Sequence, residues 1–151
     1  LKKRKVWRIS IHCSATLTGS AESFRDYHIN HNGWSDIGYH YVINNGKHRK
    51  HYNGEIEAGR PENVTPAAVR GYNTGSIAIC LVGARNKDFT VGQFESLEWL
   101  LKDIMDRYDI EPENIKGHRD YSTKAKPIYK NCPCFDVKMF VEKHGLSNYK
   151  Q

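Results

Sequence analysis

The sequence predicts an α/β fold in which helices cover both faces of a central β-sheet. Three observations carry this. Residues 76–82, Ser-Ile-Ala-Ile-Cys-Leu-Val, form an unbroken apolar run between Gly75 and Gly83. A run with no polar side reads as a strand buried on both faces, which needs cover on both. Residues 6–13 alternate apolar and polar, as a strand with one buried face does. From Thr90 to about residue 108, Phe94, Leu97, Leu101, Ile104, Met105 and Tyr108 recur at helical spacing.

The elements follow in order. In the strand over 6–13, Trp7, Ile9, Ile11 and Cys13 share the apolar face, and Arg8, Ser10 and His12 the polar one. Residues 14–20 are a loop of small side chains. Residues 21–31 are helical, with Phe24, Tyr27, His28 and His31 on one face. By spacing, His28 and His31 suit a shared metal. They suit an amphipathic face equally, and that reading is preferred. Asn32-Gly33 ends the helix, and residues 34–39 turn into a strand over 40–44. Asn45-Gly46 is a tight-turn pair, so residues 47–52 are expected to return as the partner strand. On that strand His48 and His51 would face opposite sides and share no metal. Residues 53–75 are irregular, with a short strand at 55–58. Cys80, inside the apolar run, reads as a core residue. Thr90 and Gln93 make a capping box for the long helix, and Glu98 pairs with Lys102 one turn on. A short strand over 115–118 ends at His118. Asp136 caps a last helix whose Val137, Phe140 and Val141 face the core, and Gly145 stops it. Residues 146–151 are expected to fray.

At 151 residues the chain is expected to be one domain spanning 1–151. No apolar run approaches ~18 residues, so no membrane span is expected. The basic start at Lys2 to Lys5 is not followed by the apolar region of a secretory signal. The net charge of +6 favours a polyanionic partner such as a nucleic acid or an anionic wall polymer. The basic residues are dispersed, without a basic helix or aromatic stripe, which argues against nucleic acid. Four cysteines are read as reduced: one ligand and three incidental thiols.

Chemistry concentrates in residues 117–133, a long stretch with little periodicity that carries His118, Lys130 and Cys132. Long ordered loops in compact domains are usually functional. An imidazole and a thiolate suit zinc. His12, at the end of its strand, is placed to be a third ligand. Three protein ligands with an open fourth position is a catalytic pattern, and Cys134 would close it into a structural one. Tyr39 is either packing or a group that holds water at the metal. Lys130 is either a surface lysine or a group that stabilises an oxyanion.

Five blocks occur in one order: Ile11-His12-Cys13-Ser14-Ala15-Thr16, Trp34 to Tyr41, Gly71 to Gly83, Gly117-His118-Arg119-Asp120, and Lys130-Asn131-Cys132-Pro133. Together, over roughly residues 6–142, they resemble the zinc N-acetylmuramoyl-L-alanine amidases of the type-2 amidase and peptidoglycan-recognition-protein family, above all short phage lysozymes of the amidase type. The resemblance implies a mixed central sheet and one catalytic zinc held by His12, His118 and Cys132. It implies Tyr39 beside the metal-bound water and Lys130 polarising the carbonyl. The expected activity is hydrolysis of the amide between N-acetylmuramic acid and L-alanine in bacterial peptidoglycan, by a monomeric phage or prophage endolysin. Such an enzyme waits in the cytoplasm until released to the wall. The alternative is a non-catalytic peptidoglycan-binding module of the same fold. Against close phage relatives, the loop around 121–129 is longer, Cys134 replaces a small residue, and Ala67-Ala68 stand where a histidine often lies near the groove.

Overall fold

The structure is a computed structural model, and it describes residues 3–149. Five strands, β1 (Arg8–Cys13), β2 (Tyr41–Asn45), β3 (Asn53–Ala58), β4 (Ser76–Leu81) and β5 (Ile115–Gly117), form one sheet in the order β3-β2-β4-β1-β5. β2, β4, β1 and β5 run parallel, and β3 pairs antiparallel with β2. The sheet is therefore mixed, with α/β cover. The helix α1 (Ala21–Asn32) lies between β1 and β2 in the chain, and α2 (Val91–Tyr108) between β4 and β5. Parallel strands of one sheet need such crossovers. A last helix, α3 (Val137–Lys143), packs on β5.

Successive side chains of each strand serve opposite faces. Ile9, Ile11, Ile43, Ile77, Ile79 and Leu81 enter the larger core with Leu97, Leu101 and Ile104 of α2 and Val137, Phe140 and Val141 of α3. Val42 and Val82 turn the other way, to Ala21, Phe24 and Ile37. The cover on both sides is as the run over 76–82 implied, and every residue of β4 is buried. Thr90 caps α2 with Gln93 as expected, and Glu98 meets Lys102 at 3.6 Å. Asp136 caps α3 by accepting from the Met139 N–H, and Gly145 follows at φ 71°.

Several expectations are corrected. β1 is buried on both faces because each is covered: Ile9 and Ile11 lie in the core with α2 and α3, Ser10 meets the Tyr121 hydroxyl at 2.8 Å, and His12 packs against Tyr39 and His118; Ser10 and His12 are as enclosed as Ile9 and Ile11, while Trp7 is exposed. The partner of β2 is Asn53–Ala58, not 47–52. The reason is a wider connection: the Asn44 and Asn45 side chains accept from the N–H groups of Gly46 and Lys47 and hold the chain in turns. Off any strand, His48 and His51 do not face apart; their rings lie 5.1 Å from each other. On α1, Tyr27 and His31 stack on the outside at 4.5 Å, and Ala21 with Phe24 face the core. The segment after α3 does not fray at its start: Leu146 is fully buried, and Tyr149 donates to Asp106 at 2.9 Å. Residues 150–151 lie outside the described residues, as does Lys2 in the basic start.

Candidate metal centre and groove

The site grows from a register. β1 and β5 run parallel with Ile11 opposite Gly117, so the next residues along each strand are His12 and His118. At Gly117 β5 ends, and the chain turns through a 3-10 segment, His118–Tyr121. The Asp120 carboxylate accepts from the Gly117 N–H at 2.8 Å and fixes that turn. A Cβ at Gly117 would stand 2.7 Å from Pro133 Cδ, so only glycine lets the returning loop approach. That loop brings Cys132 home. The Arg119 N–H donates to the Cys132 carbonyl at 2.9 Å, and the Arg119 guanidinium to Asn131 Oδ1 at 2.6 Å.

His12, His118 and Cys132 thereby meet, with donor atoms all within 4.8 Å of one another. The His12 and His118 rings lie 5.0 Å apart, inclined at 59°. His12 is 2% exposed, and its Nε2 is buried with no hydrogen-bond partner. Buried polar atoms are seldom left so, and the exceptions are often functional. Burial, then the neighbouring His118, hold the His12 imidazole down at about 3; burial and the Lys130 charge also lower His118. Both rings are neutral at pH 7, as metal ligands must be. The Cys13 N–H donates to Cys132 Sγ at 3.1 Å, orienting the sulfur. Two imidazoles and a thiol, with an orphaned buried nitrogen among them, suit zinc.

Around the three donors runs a groove of about 570 Å³, walled by His28, Trp34, Tyr39, Ala67, Ala68, Lys130 and Asn131, among others. Tyr39 packs 5.3 Å from His12, ring to ring. Burial and the nearby thiols raise its hydroxyl well above the usual tyrosine value, so it keeps its proton and can donate. Gly38 just before it leaves no room for a Cβ, which would meet the Ala67 carbonyl at 2.3 Å. That approach closes the wall at Ala67-Ala68. His28 is a wall residue and not a member of the donor cluster. Its Nδ1 accepts from the Gly38 N–H at 2.9 Å, and its ring packs on Trp34 at 4.8 Å. The helical spacing flagged His28, but only the turn at 34–39 sets it in the groove.

Cys134 is not a fourth donor of the cluster. It lines the same groove, with its sulfur 3.8 Å from Cys13 Sγ and 3.4 Å from the Ala84 carbonyl. Burial pushes this thiol up to about 11. Cys13 is therefore not incidental, whereas Cys80 is fully buried in the core as expected. A second group, His51, Glu55 and Glu57, gathers at the foot of α1. Here His51 bridges the carboxylates at 2.9 and 3.4 Å, and Glu57 also accepts from the Ala21 N–H and Asn44. The hydrogen bond to Glu55 raises His51. This is an ion-pair clasp holding α1 to the sheet, with its acceptors already used.

The profile of the N-acetylmuramoyl-L-alanine amidase family matches residues 2–134. The chain belongs to that family. This amidase is 35% identical over 146 residues to the endolysin of Enterobacteria phage T3, covering 91% of this chain and 87% of the relative. It is 34% identical over 146 residues to the endolysin of Escherichia phage T7, with the same coverage. Among solved structures, the amidase LysC from Clostridium intestinale superposes with a TM-score of 0.78 at 25% identity, over 95% of this chain and 88% of that one. The mixed sheet with helices on both faces is the fold of these neighbours. The amidase activity expected from the five sequence blocks stands on the same findings. Among the described residues, no helix is long and apolar enough to cross a membrane.

Proposed function

We propose that this amidase binds one zinc ion through His12, His118 and Cys132 and cleaves the amide joining N-acetylmuramic acid to L-alanine in peptidoglycan. The observation that carries the reading is the convergence of those three donors, all within 4.8 Å, on the floor of an open groove. Three ligands leave a coordination position for chemistry, and Cys134, turned toward Cys13, does not take it. When bound there, zinc supplies Lewis-acid polarisation and lowers the pKa of water toward ~7.

The protein groups do the rest. His12 and His118 remain neutral and keep their lone pairs for the metal. The Lys130 ammonium, on the groove wall, holds the negative charge that develops on the scissile carbonyl oxygen. The protonated Tyr39 hydroxyl donates to an oxygen at the reacting centre and orients it. Trp34 and His28 offer ring faces along the wall for the sugar and stem peptide. The products are a free lactyl carboxylate on the glycan and a new N-terminal alanine on the stem. In this reading the enzyme acts as a monomer and a single catalytic domain over 1–151. Its similarity to phage endolysins supports a protein held in the host cytoplasm until it reaches the wall.

The test is release of N-terminal alanine from purified peptidoglycan, with and without a zinc chelator. Alanine ends should appear, fall away with chelation and return with added zinc. A folded, zinc-loaded protein that bound the wall and released no alanine ends would overturn the reading in favour of a binding module.

A further inference from the structure

Beside the metal centre, on the lining of the same groove, two thiols face each other. Cys13 ends β1 and follows His12 directly; Cys134 lies two residues past Cys132. Their sulfurs stand 3.8 Å apart, the same distance at which the structure holds them without any bond. Cys134 sits at φ 72°, a region that non-glycine residues rarely adopt. Its N–H donates to the Asn131 carbonyl at 2.6 Å, and in this turn its sulfur reaches Cys13 at the end of β1. Cys13 is 8% exposed, while Cys134 is partly open to solvent. One thiol is thus reachable from outside, and the other waits directly behind it.

We propose that Cys13 and Cys134 are the site of an intramolecular disulfide that fastens the ligand loop to β1 and leaves Cys132 free for the metal. The oxidant is a small-molecule disulfide such as oxidised glutathione. The Cys134 sulfur attacks one sulfur of that molecule, giving a mixed disulfide and releasing one thiol. Cys13 then attacks the Cys134 sulfur and displaces the second thiol. Two electrons and two protons pass from the protein to the reagent, which ends as two thiols. A disulfide bond is ~2.04 Å long, so the two sulfurs, now 3.8 Å apart, must approach for it to form.

The bond would tie together two of the three chain segments that carry the donors, His12–Cys13 and Cys132–Pro133–Cys134. It would consume none of the three donors. Such a link is useful outside the cytoplasmic membrane, where disulfides persist. That point alone rests on the amidase reading, since the wall lies there. The thiol chemistry itself does not depend on it.

The experiment equilibrates zinc-loaded protein in glutathione buffers of rising oxidised fraction, quenches with an alkylating reagent, and maps the peptides. Expected are loss of two of the four thiols, a fall in intact mass of two hydrogens, and a cross-linked peptide pair holding Cys13 and Cys134. Cys132 and Cys80 should remain alkylatable once the chain is unfolded and zinc is chelated. The cross-link encloses residues 13–134, a long loop, so the melting temperature should rise by about 5 °C or more. Cys134→Ser should keep all three of its thiols in the same buffers. Four thiols remaining, a glutathione adduct on Cys134 without cross-link, or a bond that includes Cys132 would each overturn the proposal. Failure to release alanine from peptidoglycan would leave the mapped cross-link intact and count only against the amidase reading.

Discussion

The Nε2 atom of His12 is buried without a hydrogen-bond partner while the ring of His118 stands 5.0 Å away, inclined at 59°. Neither ring hydrogen-bonds the other, and both are kept neutral. An unpaired buried nitrogen is costly, and a metal bond removes that cost. Zinc at about a hundred times its Kd should therefore stabilise the fold by ~2.7 kcal/mol, seen as a rise in melting temperature. His12→Ala should abolish the rise. An equal rise in that variant would place the metal elsewhere.

Lys130 lies on the groove wall and is exposed, so its removal should spare the fold. Lys130→Ala should lower kcat by ~10²- to 10³-fold, the usual loss on deleting one oxyanion donor. KM should change little, because the charge it meets develops only in the transition state. A rise in KM at constant kcat would make Lys130 a substrate-binding residue instead.

Glu62 is the hub that ties the β2 strand to the end of α2. It takes two contacts at 2.8 Å from Arg107 and accepts from the hydroxyls of Tyr41 and Tyr108. Against the cost of its partial burial, these partners hold the carboxyl down at about 2. A depressed folded value adds stability above the unfolded value, ~4.3. The contribution is lost as pH falls from there toward 2. Glu62→Gln should cost about 2 kcal/mol at pH 7. In urea titrations the gap between variant and parent should narrow steadily below pH 4. A gap independent of pH would mean that packing, not charge, carries the effect.

Gln93 is fully buried, and its amide donates to the carbonyls of Ile43 and Val82, both at 2.9 Å. One side chain therefore caps α2 and closes the ends of β2 and β4. Gln93→Leu preserves bulk and strips those contacts. It should cost ~2 kcal/mol, the penalty of leaving buried polar groups unmet. Thermal or urea unfolding measures it, and a loss under half a kcal/mol, the range of a neutral surface change, would show that water replaces the amide.

The sequence by itself determined the elements whose signals are local. A run with no polar residue over 76–82 had to be buried on both sides, and the Thr90 and Gln93 side chains can cap only the helix they begin. The donor types were legible too, since histidine and cysteine declare their chemistry wherever they sit, and the five blocks named the family. Tertiary structure decided what depends on partners distant in the chain. Whether His12 was on a solvent face followed from Tyr39 and His118 packing over it, contacts distant in the chain that alternation in 6–13 does not encode. The place of β3 followed from two asparagine side chains outcompeting a tight turn. That Cys134 meets Cys13 rather than joining the three donors followed from a backbone angle of 72° in a loop without periodicity. Residue type limits what a side chain can do, but direction is set by the packing of everything around it, and only the folded chain supplies that.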